Sequence, residues 1–377
     1  MKLLSRHAAL ALALLVPLLF ASPSEACGPD CSESPLRDDL SACLEGKLGD
    51  FTQHGPECRA VGLLLLRGMS PADKELITRL IDPEDIYYPV DSTAWIEARQ
   101  KVPVPPPETA INTEAAMGDL YFTNCLPGAF ELATKTLEER IAKFGISSPE
   151  VAGWVKAQDA VFLNCGGDTR VLPEPAAANA PPTVRADRAY QTAAALFYAR
   201  AYDEALQHLD TIAQDKSSPW RGWARLVAVR AVIRKATMTD PGEEQKRALF
   251  EKARERCVAI VKDAELKDLH RQTRQLTWFI DYRLRPDKQL HLLGRVLLEK
   301  PDANFGYAWR DYFLLQSTQP PSNDELSLFI SAFDQKEGGP SAVAEWKKRR
   351  ALPWLVAALA QARGTEPELP ELLAQSE

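Results

Sequence analysis

Apolar residues recur at three- and four-residue intervals over most of this chain, and strictly alternating runs are almost absent. Leu76, Ile77, Leu80 and Ile81 share one helical face. Phe130, Leu137, Ile141 and Phe144 share another, and Val151, Trp154, Val155, Val161 and Phe162 a third. Helix starts are marked. Ser70-Pro71, Asp82-Pro83, Ser148-Pro149, Ser218-Pro219 and Asp240-Pro241 each pair an N-capping side chain with proline at the first helical position. Ser322-Asn-Asp-Glu325 has the form of a capping box. The expected fold class is all-α.

Two proline-rich stretches interrupt the pattern. Residues 102–107 (Val-Pro-Val-Pro-Pro-Pro) form a break, and residues 171–185 read as an extended Pro/Ala-rich linker. They delimit a helical, cysteine-rich segment over 27–101, a helical hairpin region over 108–170 and a helical domain over 186–377. Within the hairpin, one arm ends near Gly145 and the next begins at Ser148. Equal rise along two antiparallel arms brings together residues whose numbers sum to about 290 to 293. Cys125 and Cys165 sum to 290. A disulfide is therefore expected to staple the open end of the hairpin, the alternative being two buried free thiols.

Beyond residue 186 the helices recur as hairpins, expected near 219–235 with 243–262 and near 265–284 with 287–299. The segment from Ala193 to Leu206 closes one helix with small residues and an aromatic, opens the next with Tyr202, and places Ala205 where two helices would meet closely. It resembles the centre of a tetratricopeptide repeat, and Leu209, Ile212 and Pro219 continue the match. The matching positions Ala205, Leu249 and Leu290 are spaced by 44 and 41 residues, against a period of about 34 in that family. The resemblance implies a degenerate tetratricopeptide-like α-solenoid, covers roughly 186–219 well, weakens through 299 and does not reach the N-terminal half. The regions Phe122–Cys165 and Tyr190–Thr237 are also similar to an uncharacterised family of exported bacterial helical proteins.

The first 26 residues give an address. Lys2 and Arg6 precede an apolar run from Ala8 to Phe20, followed by Ser24-Glu-Ala26 with small residues at −3 and −1. This is the anatomy of a secretory signal peptide over 1–26, its apolar core too short for a membrane span. The chain is expected to be periplasmic or secreted, with no transmembrane segment after cleavage. A lipid anchor at Cys27 is the alternative. Ser24 stands where lipoprotein signals usually carry leucine, and acylating Cys27 would leave three cysteines in the N-terminal cluster. Cleavage removes Lys2, Arg6 and Glu25 and moves the net charge from −7 to −8. With no basic block, this charge argues against nucleic acid as a partner.

Seven cysteines fit an oxidising compartment. Cys27, Cys31, Cys43 and Cys58 allow three disulfide connectivities. With His54 they could instead hold zinc, but the Cys-x2-Cys pairs of a zinc knuckle are missing and disulfides are preferred. Cys257 lies on an apolar stripe with Phe250, Ala253 and Ile260, as a small core residue.

Motifs for catalysis are missing: there is no His-Glu-x-x-His, phosphate loop or Gly-x-Ser-x-Gly elbow, and the histidines are scattered. No cofactor is implied. The best candidate surface is a stripe of Arg271, Arg274, Gln275, Trp278, Tyr282 and Arg285 on one helix, suited to a carboxylate or peptide through bidentate bonds and stacking. The same residues could instead fill contacts between stacked hairpins, and Trp220, Trp223 and Trp309 are expected in the core. The expected function is that of a non-catalytic scaffold presenting a helical surface to a peptide or protein partner. The alternative is an exported enzyme acting on an envelope polymer or peptide through a nonlocal site.

Overall fold

A computed structural model describes residues 62–68, 70–73, 75–76, 91–107, 109–117, 120–167, 169–319, 323–333, 340–361 and 367–375. The signal segment, Cys27, Cys31, Cys43, His54, Cys58, Asp82 and Ser322 lie outside these residues. Helices dominate. They are α1 Thr93–Gln100, α2 Pro127–Phe144, α3 Pro149–Phe162, α4 Pro182–Tyr198, α5 Tyr202–Gln214, α6 Arg221–Met238 and α7 Glu243–Lys262. A 3-10 turn over Ala264–Leu269 leads into α8 His270–Leu284, then α9 Pro286–Leu298, α10 Phe305–Thr318 and α11 Glu325–Phe333. The last are α12 Ala342–Arg349, α13 Leu352–Gln361 and α14 Leu369–Ala374. No described helix is long and apolar enough to cross a membrane.

The α2–α3 hairpin forms where the sequence placed it. Gly145 closes α2 at φ +87°, a backbone region that costs glycine nothing. Ser148 Oγ then accepts the Val151 N–H at 3.2 Å, with Pro149 in the first turn of α3. At the open end Cys125 and Cys165 are disulfide-bonded, their Cα atoms 5.4 Å apart and both side chains buried.

Other starts are shifted by tertiary partners. Ser218 Oγ accepts the Trp220 N–H, but α6 begins only at Arg221. Trp220 is tied to α4, its ring stacked on Tyr190 at 4.2 Å and its Nε1 donating to Asp187 at 2.8 Å. Asp240 is not a cap. It takes φ +44°, and Gly242 at φ +83° occupies the position before α7. Ahead of α11, Asp324 Oδ1 accepts the Ser327 N–H at 2.9 Å.

One pair of strands departs from the all-helical expectation. β1 Glu114–Met117 and β2 Leu120–Thr123 pair antiparallel, with Glu114 opposite Thr123 and Ala115 opposite Phe122. Strands of four residues leave no periodic trace, and this hairpin is held by what lies beside it. Asn124, just beyond β2, donates its Nδ2 to the main-chain oxygens of Cys165 and Tyr198 at 2.9 and 3.0 Å.

Consecutive helices pack on one another from α1 to α10, and α4 touches α6, α6 touches α8, and α8 touches α10. Two buried clusters among the described residues fill α1 to α8. One joins α1, α2, α3 and the disulfide, with Ala195 of α4; the other runs through α4 to α8 around Leu196, Ala205, Leu226, Val229 and Ile280. The first described residues return to the far end of the chain. Leu63, Leu64 and Leu65 are buried, and Arg67 donates to the main-chain oxygens of Leu297 and Glu299, both at 2.7 Å.

Candidate functional site

The stripe on α8 divides. Arg274 pairs with Asp302 at 3.0 Å, and Gln275 Nε2 donates to Asn304 Oδ1 at 3.0 Å. Trp278 is buried. Arg274 and Trp278 line one side of a groove of about 320 Å³ between α8, α9 and the start of α10. Arg285 lies one residue past the helix end and reaches Glu251 of α7 at 3.3 Å. Tyr282 is half-buried beside Arg283, and Arg271 is exposed. The six therefore do not converge on one point.

Elsewhere in the chain, buried arginines are matched to carboxylates. Arg99 meets Asp159 at 2.9 Å, and Arg140 grips Asp187 with Nε and Nη2 at 2.6 and 2.8 Å. The bonds to Asp187 hold the Arg140 guanidinium above its usual range despite burial. Burial raises the Asp159 carboxyl, with Arg99 acting against it. Such pairs are structural, because a lone charge in these places would be costly.

Three neighbouring half-buried arginines have no carboxylate ion pair, as is also true of Arg188 on α4, whose guanidinium donates to Gln191 and the main-chain oxygens of Gly153 and Glu174. α6 carries Arg221, Arg225, Arg230, Arg234 and Lys235 and no acidic residue. Arg221 and Arg225 share Asp263, and Lys235 takes Asp203. Arg230 and Arg234 have no carboxylate partner among the described residues, and neither has Arg200, from the α4–α5 connection. Arg234 instead sits 4.3 Å over the Phe197 ring and donates to Asn124. Arg200 lies 5.3 Å over Phe122 and donates Nη2 to the Ala116 oxygen at 2.6 Å. Gly167, at φ +77°, lets Arg200 approach, since a Cβ there would fall 2.7 Å from its Nη2. The buried Arg200 Nε and Tyr202 hydroxyl have no partner among the described residues. Burial draws the Arg234 guanidinium below the usual arginine range; Tyr198 and Tyr202 oppose this, while Arg230 and Arg200 add to it.

Beside this cluster lies a cavity of about 60 Å³ between α2, α3, α4 and α6. Its wall is aromatic and aliphatic, with Trp154, Tyr190, Tyr198, Trp220 and Trp223 around Leu132, Phe162 and Val227. Arg230 is the one charged residue in the lining. Trp220 is buried as expected, but it and Trp223 also face this space. Trp154 Nε1 is buried without a partner among the described residues. Gly128 and Ala129 complete the wall from the first turn of α2, which has neither a capping side chain nor an acidic residue. Burial raises the hydroxyls of Tyr190 and Tyr198 above the ordinary tyrosine value, so they remain neutral donors.

The lining holds no histidine, cysteine or carboxylate. It can receive an anion on an apolar stem, but it offers no general base or nucleophile. Cys257 is buried, and its thiol is pushed up to about 11 chiefly by that burial. Among the described residues no cluster of three or more His, Cys, Asp or Glu could hold a metal ion. His208 and His291 are exposed.

Compared with protein-family models, with curated proteins and with solved structures, the chain gives no match. The cavity was not legible in the sequence, because its lining comes from four helices spanning residues 128 to 230. One signal was present: an acid-free helix in which Arg230 and Arg234 interrupt an otherwise apolar run.

Proposed function

We propose that the chain is an exported, non-catalytic binding protein, a degenerate tetratricopeptide-like α-solenoid that takes a peptide or protein partner on its helical surface. The observation that carries this reading is the packing order. Alternate helices α4, α6, α8 and α10 touch in succession while each also packs on the helix between. Stacked hairpins of that kind leave inner helices free to line an extended surface. The Ala193–Leu206 segment falls on α4 and α5, and Ala193, Leu196 and Ala205 are buried where these meet. A disulfide in the hairpin supports an oxidising compartment.

The test places a photo-reactive residue at Arg274, in the α8–α10 groove, and irradiates the mature chain in its native envelope. A recurrent cross-linked peptide, suppressed by an excess of the unmodified chain but not by the same excess of the Arg274→Glu chain, supports the scaffold. Turnover of a defined envelope polymer or peptide by the purified chain would replace it with an enzyme.

A further inference from the structure

In an acidic chain, cations gathered without acids point to a missing anion. The net charge is −7, and carboxylates are at hand for Arg99, Arg140, Arg221, Arg225 and Lys235. Yet Arg200, Arg230 and Arg234 stand together on the α4–α6 side with none among the described residues. Mutual repulsion among guanidiniums in an aromatic setting is unfavourable unless a counter-charge arrives. Arg234 is already committed to Asn124 and Arg200 to Ala116, whereas Arg230 makes no hydrogen bond or ion pair with a described residue. Arg230 is also the one that reaches the cavity.

Other groups in the wall favour the same ligand. The open first turn of an 18-residue helix, α2, presents positive dipole at Gly128, where an added Cβ would meet nothing within 4 Å. Trp154, 5% exposed, brings an indole N–H without a partner among the described residues. Apart from Thr136, the paired Gln158 and Gln191 and the tyrosine hydroxyls, the remaining wall is apolar, and a space of about 60 Å³ suits a short stem and not a large ring system.

We propose that the cavity between α2, α3, α4 and α6 binds a carboxylate carried on a short apolar stem, with Arg230 as the receiving cation. Within the peptide-binding reading, on which this inference rests, that ligand is the C-terminal residue of a peptide; a free monocarboxylic acid is the other source of the same chemistry. Arg230 supplies paired N–H donors of the geometry a carboxylate accepts, and Arg200 and Arg234 raise the potential behind it.

The experiment uses the full mature chain and its own tryptophan fluorescence, since Trp154, Trp220 and Trp223 line the cavity. Three probes are titrated: an acetylated tripeptide ending in leucine, the same tripeptide amidated at its C-terminus, and hexanoate. Binding of the acid about 10- to 100-fold tighter than the amide is expected, the range of a charge-assisted hydrogen-bond pair. Arg230→Gln should abolish that discrimination while melting no lower than the parent, because it relieves repulsion; Arg230→Lys should retain part of it. Arg230-dependent binding of hexanoate alone supports the carboxylate site and identifies a free acid as the source. Equal binding of acid and amide overturns the site but leaves the peptide surface standing. No response to any probe, or discrimination that survives Arg230→Gln, overturns the proposal outright.

Discussion

Arg234 holds Asn124 twice, Nη1 donating to the side-chain oxygen at 2.5 Å and Nη2 to the main-chain oxygen at 2.6 Å. Asn124 is fully buried, and its Nδ2 donates in turn to the oxygens of Cys165 and Tyr198. One side chain thus ties the strand pair, the disulfide hairpin and α4 to the C-terminal part of α6.

Removing that knot should be costly. Asn124→Ala leaves the Arg234 Nη2 bond to the main chain but strands Nη1 and two main-chain oxygens, at about 1–3 kcal/mol for each buried group left unsatisfied. Urea unfolding should show a midpoint well below the parent. A change under ~0.5 kcal/mol, the level of an ordinary surface substitution, would mean that Asn124 is not the joint described.

The disulfide should stabilise the same region. Cys125 and Cys165 are 40 residues apart, and closing such a loop contributes about 4 kcal/mol on the chain-entropy account. Replacing both cysteines by alanine, or reducing the native chain, should lower the unfolding midpoint by an amount of that order. If the double alanine variant melts with the parent, the bond does not stabilise the folded protein.

Gly294 tests the packing of α9 against α11. A Cβ there would lie 2.0 Å from Asp324 Oδ1 and 2.4 Å from its Cγ. Asp324 is buried and caps α11 through Ser327. Alanine is the better helix former by ~1 kcal/mol, yet overpacking costs about 1–3 kcal/mol and a lost cap about 1 more. Gly294→Ala is therefore expected to destabilise on balance. A stabilised variant in thermal melts would show that α9 and α11 have room to spare.

Alkaline pH should loosen the fold through its tyrosines. Burial, and then Tyr198, raise the Tyr190 hydroxyl above the ordinary value of 10.0, against the pull of Arg230. Burial also lifts Tyr198 and Tyr202. Above about pH 10 the unfolded chain sheds protons that the folded chain keeps. The stability from the neutral hydroxyls is thus complete below that pH and falls as pH climbs toward the folded values. Cys257 acts in the same sense between its ordinary 9.0 and about 11. Denaturant midpoints measured from pH 8 to 11 should decline, and Tyr190→Phe should flatten the decline. An identical slope in that variant would remove Tyr190 from the account.

Neighbours along the chain dictate the local features of this fold. Periodicity placed the helices observed at Arg221–Met238, Glu243–Lys262, His270–Leu284 and Pro286–Leu298 within a few residues. The Ser148 cap and the Gly145 stop followed from local backbone chemistry, and the Cys125–Cys165 bond from equal rise along two arms. Tertiary structure decided the rest. Trp220 delays the start of α6 because Asp187 and Tyr190 hold it, and β1 and β2 form beside Asn124 without a pattern of their own. Arg230 and Arg234 interrupt an apolar run of an acid-free helix, but the sequence does not say how their partners differ from those of Arg221 and Arg225. Only packing shows that the second pair meets Asp263 while the first meets rings and open space. Periodicity tells a side chain which way to face, but the partner it finds there belongs to another part of the chain, and no local rule names it.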